Sequence, residues 1–285
     1  MEEENIFTIT QMSRKIELEP GEVYEGTVTV FNPVDAKEDF AWKVSVAPYS
    51  VESGTYNADL AAETEHSQIT KWITFDKVSG VLAPNEKAEI HYTITVPETA
   101  AGGGQYAAIM VGSDAAGAAA QGISIQNIYE MASIIYARIN GEIKRAGSVG
   151  ENKIPGFVTA MPITVSVELE NDGNVHETAK IRTTVKNFLN GAQIYPLSGE
   201  EGIVEEVMMP DTSRYVTRDI NDLSPVGIYE VTQSVTYLGQ TSDNTQLVVA
   251  CPVWFMLLVA LTFGVIVFGI VRAIMRHRRI KRSLM

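Results

Sequence analysis

Residue types that could perform catalysis or bind a metal are few in this chain and widely separated. The 285 residues include one cysteine, Cys251, and four histidines: His66, His91, His176 and His277. These histidines show no metal-ligand spacing. No Gly-x-Ser-x-Gly motif occurs, and a single cysteine beside an apolar segment makes a Cys–His nucleophile a poor interpretation. The sequence therefore predicts no enzyme activity, no cofactor and no metal.

Two short motifs have both a functional and a structural interpretation. Asp172 and Asn174 carry oxygens of the kind that calcium prefers, but the run Asn171-Asp172-Gly173-Asn174 is also typical of a hairpin turn. Gly102-Gly103-Gly104 is not followed by the Lys-Ser/Thr of a phosphate-binding loop. We favour turns for both motifs.

Aromatic side chains provide the remaining binding chemistry, since a flat exposed ring can stack on a sugar. Tyr49, Tyr56 and Trp72 lie near predicted loops and are the candidate ligand-binding residues. Packing in the core is the alternative, and it is favoured for Trp72 and for Trp42.

These residues belong to a chain whose apolar pattern is that of β-strands. Residues 40–46 and 163–169 alternate apolar and polar positions, and several similar runs are bounded by turn sequences. The fold class predicted is all-β: two tandem immunoglobulin-like β-sandwich domains followed by one transmembrane helix. The first domain is predicted at 1–140 and the second at 157–250, with a glycine-rich linker at 141–156.

The C-terminal region predicts a membrane anchor. No charged residue occurs from Leu247 to Val271, and six basic residues follow. About 20 apolar residues are needed for a helix to cross a bilayer core of ~30 Å. The sequence therefore predicts a transmembrane helix in contact with membrane lipid at 251–274 and a basic tail at 275–285. By the positive-inside rule the tail is cytoplasmic and the N-terminus is outside.

Charge and composition indicate which partners and which source are expected for the extracytoplasmic part. All 35 acidic residues but only 16 of the 22 basic ones precede the helix, a formal charge of −19. This charge disfavours nucleic acid as a partner. No Asn-x-Ser/Thr sequon occurs, which favours a bacterial source. The acidic start, Met1-Glu2-Glu3-Glu4, is not a leader peptide, so we expect a leader to have been removed. Cys251 has no partner for an internal disulfide and is interpreted as an inert interfacial thiol.

Several motifs in the first half follow one another in an order known from a bacterial family. They are Glu19-Pro20-Gly21-Glu22, Gly26-Thr27-Val28-Thr29-Val30-Phe31-Asn32-Pro33, Trp42-Lys43-Val44-Ser45-Val46-Ala47-Pro48-Tyr49, Trp72-Ile73-Thr74-Phe75, Leu82-Ala83-Pro84-Asn85-Glu86, Ile94-Thr95-Val96-Pro97 and Gly102-Gly103-Gly104-Gln105-Tyr106-Ala107-Ala108-Ile109. Over residues 5–140 the chain resembles the N-terminal domain of WxL-interacting proteins, and its layout of two β domains, helix and basic tail is similar to theirs. The resemblance implies peptidoglycan binding by the first domain and partner or host binding by the second. The matched positions are structural, so no binding residue is carried over.

Taken together, these features predict a non-enzymatic, membrane-anchored bacterial cell-surface protein that binds cell-wall glycan or another surface protein. The alternative is a membrane-tethered chaperone or assembly factor that provides a strand edge to secreted subunits. An enzyme with a site assembled from distant residues is the third hypothesis, and it would require titratable groups that converge in a pocket.

Overall fold

The chain forms strands along most of its length and one long helix at its C-terminus. The computed structural model describes residues 7–52, 55–57, 63–114, 129–196 and 202–283. The first half contains β1 Thr8–Ile9, β2 Ser13–Leu18, β3 Val23–Phe31, β4 Phe40–Pro48, β5 Ser50–Glu52, β6 Thr55–Asn57, a 3₁₀ helix Glu65–Lys71, β7 Ile73–Phe75, β8 Ser79–Leu82, β9 Lys87–Thr95, β10 Gly103–Ser113 and β11 Glu130–Ile139. The second half contains β12 Gly147–Lys153, β13 Phe157–Val158, β14 Ile163–Asn171, β15 Glu177–Asn187, β16 Gln193–Tyr195, β17 Ile203–Met208, β18 Thr212–Ile220, β19 Gly227–Tyr237, β20 Gln240–Ala250 and helix α1 Val253–Ser283.

The residues group into two compact units whose boundaries do not simply follow the chain. Unit 1 comprises Met1–Ser148, Leu169–Thr178 and Val207–Arg214, and unit 2 comprises Val149–Glu168, Ala179–Glu206 and Tyr215–Met285. Two short segments from the second half therefore belong to unit 1. The segment expected to be a linker, 141–156, contains strand β12. The domain limits 1–140 and 157–250 stay predictions.

Unit 1 contains two sheets that share one hydrophobic core. Their strand orders are β1-β3-β9-β7 and β2-β11-β10-β4-β8, and β2 runs parallel to β11. Val28 and Ile90 of the first sheet and Trp42 and Ile109 of the second all belong to the same buried cluster. The two sheets therefore pack face to face as a β-sandwich, in which fully burying such a side chain contributes about 1.5–3 kcal/mol.

Strand β10 is buried along its whole length, whereas a strand at the surface alternates buried and exposed residues. Its residues Gly103–Ser113 are all buried. Ala107, Ile109 and Val111 face the core of the sandwich. Tyr106, Ala108 and Met110 instead belong to a second cluster on the opposite face. Both faces of β10 are therefore covered, and the second face positions the residues considered below.

Unit 2 is also built mainly from two sheets. A three-stranded sheet has the order β12-β14-β18, and a larger sheet has the order β13-β20-β19-β15-β16, with β17 also paired to β15. Val165, Val231 and Val248 come from the two sheets and are fully buried in one cluster. Their alternation along each strand matches the pattern predicted from the sequence.

The C-terminal helix α1 confirms the prediction of one apolar helix and extends it. Its stretch Val253–Met275 is long and apolar enough to cross a membrane, and none of that stretch is buried in the structure. Pro252 precedes the first turn, where its carbonyl accepts from the Phe255 N–H at 3.0 Å. The helix was expected to end at 274 but continues to Ser283 through most of the basic tail, because this segment contains no glycine or proline.

Candidate functional site

A group of four rings lies on the outer face of the β4–β10–β11 sheet in unit 1. We call Tyr49, Tyr106, Tyr136 and His176 the tyrosine–histidine cluster. Tyr106 and Tyr136 are direct cross-strand partners on β10 and β11, and their rings meet edge to face with centroids 5.9 Å apart. The His176 ring lies 5.3 Å from that of Tyr136. Edge-to-face pairs of this kind contribute about 0.5–1.5 kcal/mol beyond the area they bury.

Hydrogen bonds connect the polar atoms of this cluster to one another. The backbone N–H of His176 donates to Tyr106 Oη at 2.8 Å, and the same oxygen lies 3.2 Å from His176 Nδ1. A hydroxyl has one proton and two lone pairs, so Tyr106 Oη can accept from the backbone and also form the contact with Nδ1. Tyr49 Oη and Tyr136 Oη form a second pair at 2.9 Å.

The electrostatics favour the uncharged forms of Tyr106 and His176. Burial raises the pKa of Tyr106 well above its ordinary value. Burial, followed by the nearby Lys15 and Arg138, lowers the pKa of His176, and this outweighs the opposing effect of Glu177. A neutral imidazole bonded to a neutral phenol stabilises the packing and does not provide an activated nucleophile.

The lowered pKa of His176 predicts a pH dependence of stability. The unfolded chain takes up a proton near the ordinary histidine pKa of ~6.5, whereas the folded chain does so only at lower pH. The unfolded state therefore binds more protons in this window, and the contribution is present above the unfolded pKa and lost as pH falls towards the folded one. We expect the urea midpoint of the wild type to decrease from about pH 7.5 to about pH 5 more steeply than that of H176Q. The exposed His91→Gln variant is the control, and equal slopes for wild type and H176Q would contradict the prediction.

A second group of titratable side chains, which we call the His66 group, consists of Glu65, His66 and Asp211, all in unit 1. Glu65 and His66 occupy the first turn of the 3₁₀ helix, which Thr64 caps by accepting from the His66 N–H. Gln105 on β10 holds this helix, because its side chain accepts from the Ile69 N–H at 3.1 Å and donates to the Glu65 carbonyl at 2.7 Å. The position of His66 is therefore determined by the sheet that contains β10.

Both ring nitrogens of His66 have partners. Nδ1 lies 3.0 Å from the Gly104 carbonyl oxygen. Nε2 lies 3.2 Å from Asp211 Oδ2 and 3.6 Å from Glu65 Oε1. Reasoning from the sequence did not find this group, since Asp211 is 145 residues from His66 and only its position in the turn after β17 brings it there. No local spacing in the sequence could have indicated it.

Unit 2 presents a free strand edge, which we call the β20 edge and define as Gln240–Leu247. Strand β20 pairs along its whole length with β19. On its other side it pairs only with β13, through Val249 and Ala250. Within the described part of the chain no other strand covers Gln240–Leu247, and seven of its eight residues are exposed.

The direction of the free backbone groups follows from the hydrogen bonds at the end of this strand. The N–H of Val249 donates to Gly156 and that of Cys251 to Val158, both on the β13 side. Backbone groups alternate sides along a strand. The N–H and C=O of Thr241, Asp243 and Thr245 therefore point away from β19 into solvent. A row of unpaired backbone donors and acceptors can template a further strand.

The aromatic residues predicted to bind a ligand have different surroundings. Tyr49 is 4% exposed and lies in the tyrosine–histidine cluster. Trp72 is half-buried against the core of unit 1. Tyr56 lies in β6, and its side chain is outside the described residues. The structure does not bring Tyr49 and Trp72 into one described cluster, and a ligand-binding role for these three residues stays a prediction.

The motifs at 171–174 and 102–104 are parts of the fold, but the turn predicted for the glycine run was wrong, since Gly103 and Gly104 begin strand β10. The side chain of Asn174 donates to the carbonyls of Gly102 and Glu142 at 3.1 and 2.8 Å. Its oxygen accepts from the Lys144 N–H. At Gly102 a Cβ would lie 2.6 Å from the Glu142 backbone nitrogen, so this position requires glycine for a close backbone approach.

Comparison with known proteins gives only remote structural likenesses. No family model matches this chain, and no curated protein matches it. A class 5 fimbriae chaperone, CfaA, aligns over 86% of this chain and 99% of its own, with 12% identity and a TM-score of 0.40. The E. coli chaperone DraB aligns over 85% and 96%, with 12% identity and a TM-score of 0.39. The CsuC–CsuE chaperone–tip subunit complex from the archaic chaperone-usher Csu pili of Acinetobacter baumannii aligns over 85% and 98%, with 13% identity and a TM-score of 0.39. With values this low, function must be argued from the residues of this chain.

Proposed function

We propose that this chain is a non-enzymatic, membrane-anchored protein of the bacterial cell surface that binds an extended segment of a secreted or surface protein at the β20 edge. The observation that carries the proposal is the run of exposed backbone groups along Gln240–Leu247 that no strand of the described residues pairs. Strand addition uses main-chain hydrogen bonds for affinity, so it requires a free edge and no catalytic group. This mode combines the surface-protein partner and the assembly-factor alternative predicted from the sequence.

The chemistry of the edge favours a protein strand as the ligand. Natural proteins protect free edges with charged side chains, especially lysine, and with proline or bulges. Gln240–Leu247 contains no lysine or proline and one charged residue, Asp243. On the outward face Thr245 pairs with Thr232 and Thr241 with Thr236 through hydroxyl contacts of 2.9 Å. These two threonine pairs make the outward face of this strand polar. The backbone groups along its edge are therefore the part of the strand that can bind a further strand.

The proposed architecture places this edge outside the cell and close to the membrane. Strand β20 ends at Ala250 and α1 begins at Val253, so almost no linker separates them. Under this proposal the two units are tandem immunoglobulin-like domains, α1 spans the bilayer, and the basic tail is cytoplasmic by the positive-inside rule. The resemblance of residues 5–140 to WxL-interacting proteins supports a cell-surface location.

The decisive test removes one edge N–H. The Thr245→Pro variant loses the donor that faces solvent but keeps the bonds to β19 formed by its neighbours, and proline is tolerated on edge strands. The Thr245→Ala variant loses the same hydroxyl but keeps the N–H, so it is the matched control. Secreted proteins retained by the full chain in detergent micelles would be quantified by mass spectrometry.

We expect T245P to retain at least about tenfold less partner than the wild type, because several main-chain bonds of ~1 kcal/mol each depend on register at this edge. T245A should retain as much partner as the wild type. Equal retention by T245P and wild type, with both folded by circular dichroism, would refute the proposal. Equal loss in both variants would assign binding to the hydroxyl and would also refute the edge mechanism.

Cell-wall glycan is the second ligand class, and the family resemblance is what favours it. Sedimentation of the full chain with purified cell wall tests it directly. Retention that is unaffected by T245P would support a separate glycan site, and absence of retention would remove the glycan from the proposal.

A further inference from the structure

The His66 group brings three ligand-type atoms from two distant parts of the chain to one point. Its nitrogen and two carboxylate oxygens all lie within 4.8 Å of one another. Glu65 and His66 are held by the capped 3₁₀ helix and by Gln105. Asp211 lies in a turn with a left-handed backbone, φ +53°, and its segment Val207–Arg214 belongs to unit 1.

The Gly104 carbonyl, which lies outside this group, determines which ring nitrogen of His66 carries a proton. A carbonyl oxygen can only accept, so the contact of 3.0 Å between Nδ1 and the Gly104 oxygen requires the proton on Nδ1. Nε2 then faces the two carboxylate oxygens. A cation bound between them would offset the repulsion between the two negative charges.

The spacing of these atoms fits a tetrahedral metal ion, and the contact of 3.2 Å is also within the range of a hydrogen bond. Ligands of a tetrahedral zinc ion lie at ~2.0–2.1 Å from the metal, so they are roughly 3.3 Å apart. The observed separations from Nε2 are 3.2 Å to Asp211 and 3.6 Å to Glu65. A histidine that donates its second N–H to a backbone carbonyl is also the usual arrangement of a metal-bound imidazole.

We propose that Glu65, His66 and Asp211 bind a divalent transition metal ion of the zinc class through His66 Nε2 and one oxygen of each carboxylate. The His66 side chain is 14% exposed, whereas those of Glu65 and Asp211 are 79% and 62% exposed. The ligand set is therefore anchored on a buried side and open on the other, which leaves a fourth position to water or to a partner group. Nitrogen together with carboxylate oxygen suits zinc, whereas calcium prefers oxygen alone.

Binding at this point would connect the 3₁₀ helix to the turn that contains Asp211. Both elements lie next to β10, whose Gly104 carbonyl holds the imidazole. The ion would thus stabilise the Val207–Arg214 segment on unit 1 by linkage, in proportion to its concentration relative to Kd. This inference does not depend on the β20 edge and can fail or succeed independently of it.

The test is calorimetric titration of Zn²⁺ into the full chain, purified without a polyhistidine tag, stripped of metal and held in detergent micelles. We expect one site whose affinity falls at least about tenfold in H66A and in D211N, together with a rise in Tm of the wild type on adding Zn²⁺ that both variants lose. The matched control is Glu63→Gln, which removes a neighbouring negative charge that pairs with Lys71 at 2.9 Å and does not face Nε2. E63Q should bind like the wild type.

Two outcomes would overturn the proposal. Equal Zn²⁺ affinity in wild type, H66A and D211N would show that Zn²⁺ binds elsewhere and not to the His66 group. An equal loss in E63Q and D211N would show general attraction to a negative surface. Circular dichroism of all variants separates a lost ligand from a lost fold.

Discussion

Replacing Asn171 by aspartate should lower the free energy of unfolding by about 3–5 kcal/mol, the range for an uncompensated buried charge. Asn171 is completely buried. Its amide nitrogen donates to the carbonyls of Val175 and Met208 at 2.9 and 3.0 Å, and its oxygen accepts from the Gly173 N–H at 2.9 Å. These three bonds determine the orientation of the amide, because carbonyl oxygens can only accept.

The N171D variant keeps the shape of the side chain but removes both donors. Two buried carbonyls then face a carboxylate, so the cost combines unsatisfied acceptors with a desolvated charge. The control is N190D at the exposed Asn190, whose oxygen accepts from the Ala192 N–H and tolerates a carboxylate. We expect N190D to change stability by less than about 0.5 kcal/mol. Urea denaturation followed by the fluorescence of the buried Trp42 measures both, and a loss below about 1 kcal/mol in N171D would contradict the prediction.

Truncating Tyr106 to alanine should have a comparable effect of about 3–5 kcal/mol, as for other large aromatic residues in a core. Its ring is 1% exposed and contacts Tyr136 and His176 edge to face. The truncation leaves a cavity and also leaves the His176 N–H without its hydroxyl acceptor. The cavity, the lost ring contacts and the unsatisfied N–H occur together because one side chain fills the centre of the cluster.

Two further variants separate these contributions. Tyr106→Phe keeps the ring and removes only the hydroxyl, so we expect a loss of about 1–3 kcal/mol from the unsatisfied N–H. Tyr215→Ala removes a ring that is 52% exposed and should cost less than about 1 kcal/mol. If Y106F were as stable as the wild type, the hydrogen bond to His176 would have no net value. A Y106A loss equal to that of Y215A would contradict the packing argument.

Strand identity could be predicted from the sequence because it depends on local side-chain alternation. The pattern of residues 40–46 and 163–169 correctly identified β4 and β14. Short strands such as β12 and β17 were missed, since Gly147–Lys153 and Ile203–Met208 lack a clear period of two. Their pairing partners supply the hydrogen bonds that make them strands, and these partners are distant in sequence.

The turn at Asn171 is a clearer example of a feature that depends on residues distant in sequence. The run Asn171-Asp172-Gly173-Asn174 indicated a hairpin turn because these residue types adopt turn conformations locally. A turn occurs there, but the hairpin was wrong, since β14 and β15 belong to different sheets. The sequence did not show that Asn171 would be buried or would bond to Met208, 37 residues away. Both properties arise when β17 lies next to this turn, which is a consequence of packing.

The sequence by itself determined that this protein is mostly β and ends in an apolar helix followed by basic residues. Strand alternation and a charge-free run are local properties, so both can be recognised without the fold. Only the tertiary structure decided which side chains meet. It brought Asp211 to His66, buried Tyr49 among other rings and, among the described residues, left Gln240–Leu247 of β20 paired on one side only. The reason is that such contacts depend on strand order and register over more than one hundred residues, and no local pattern encodes them.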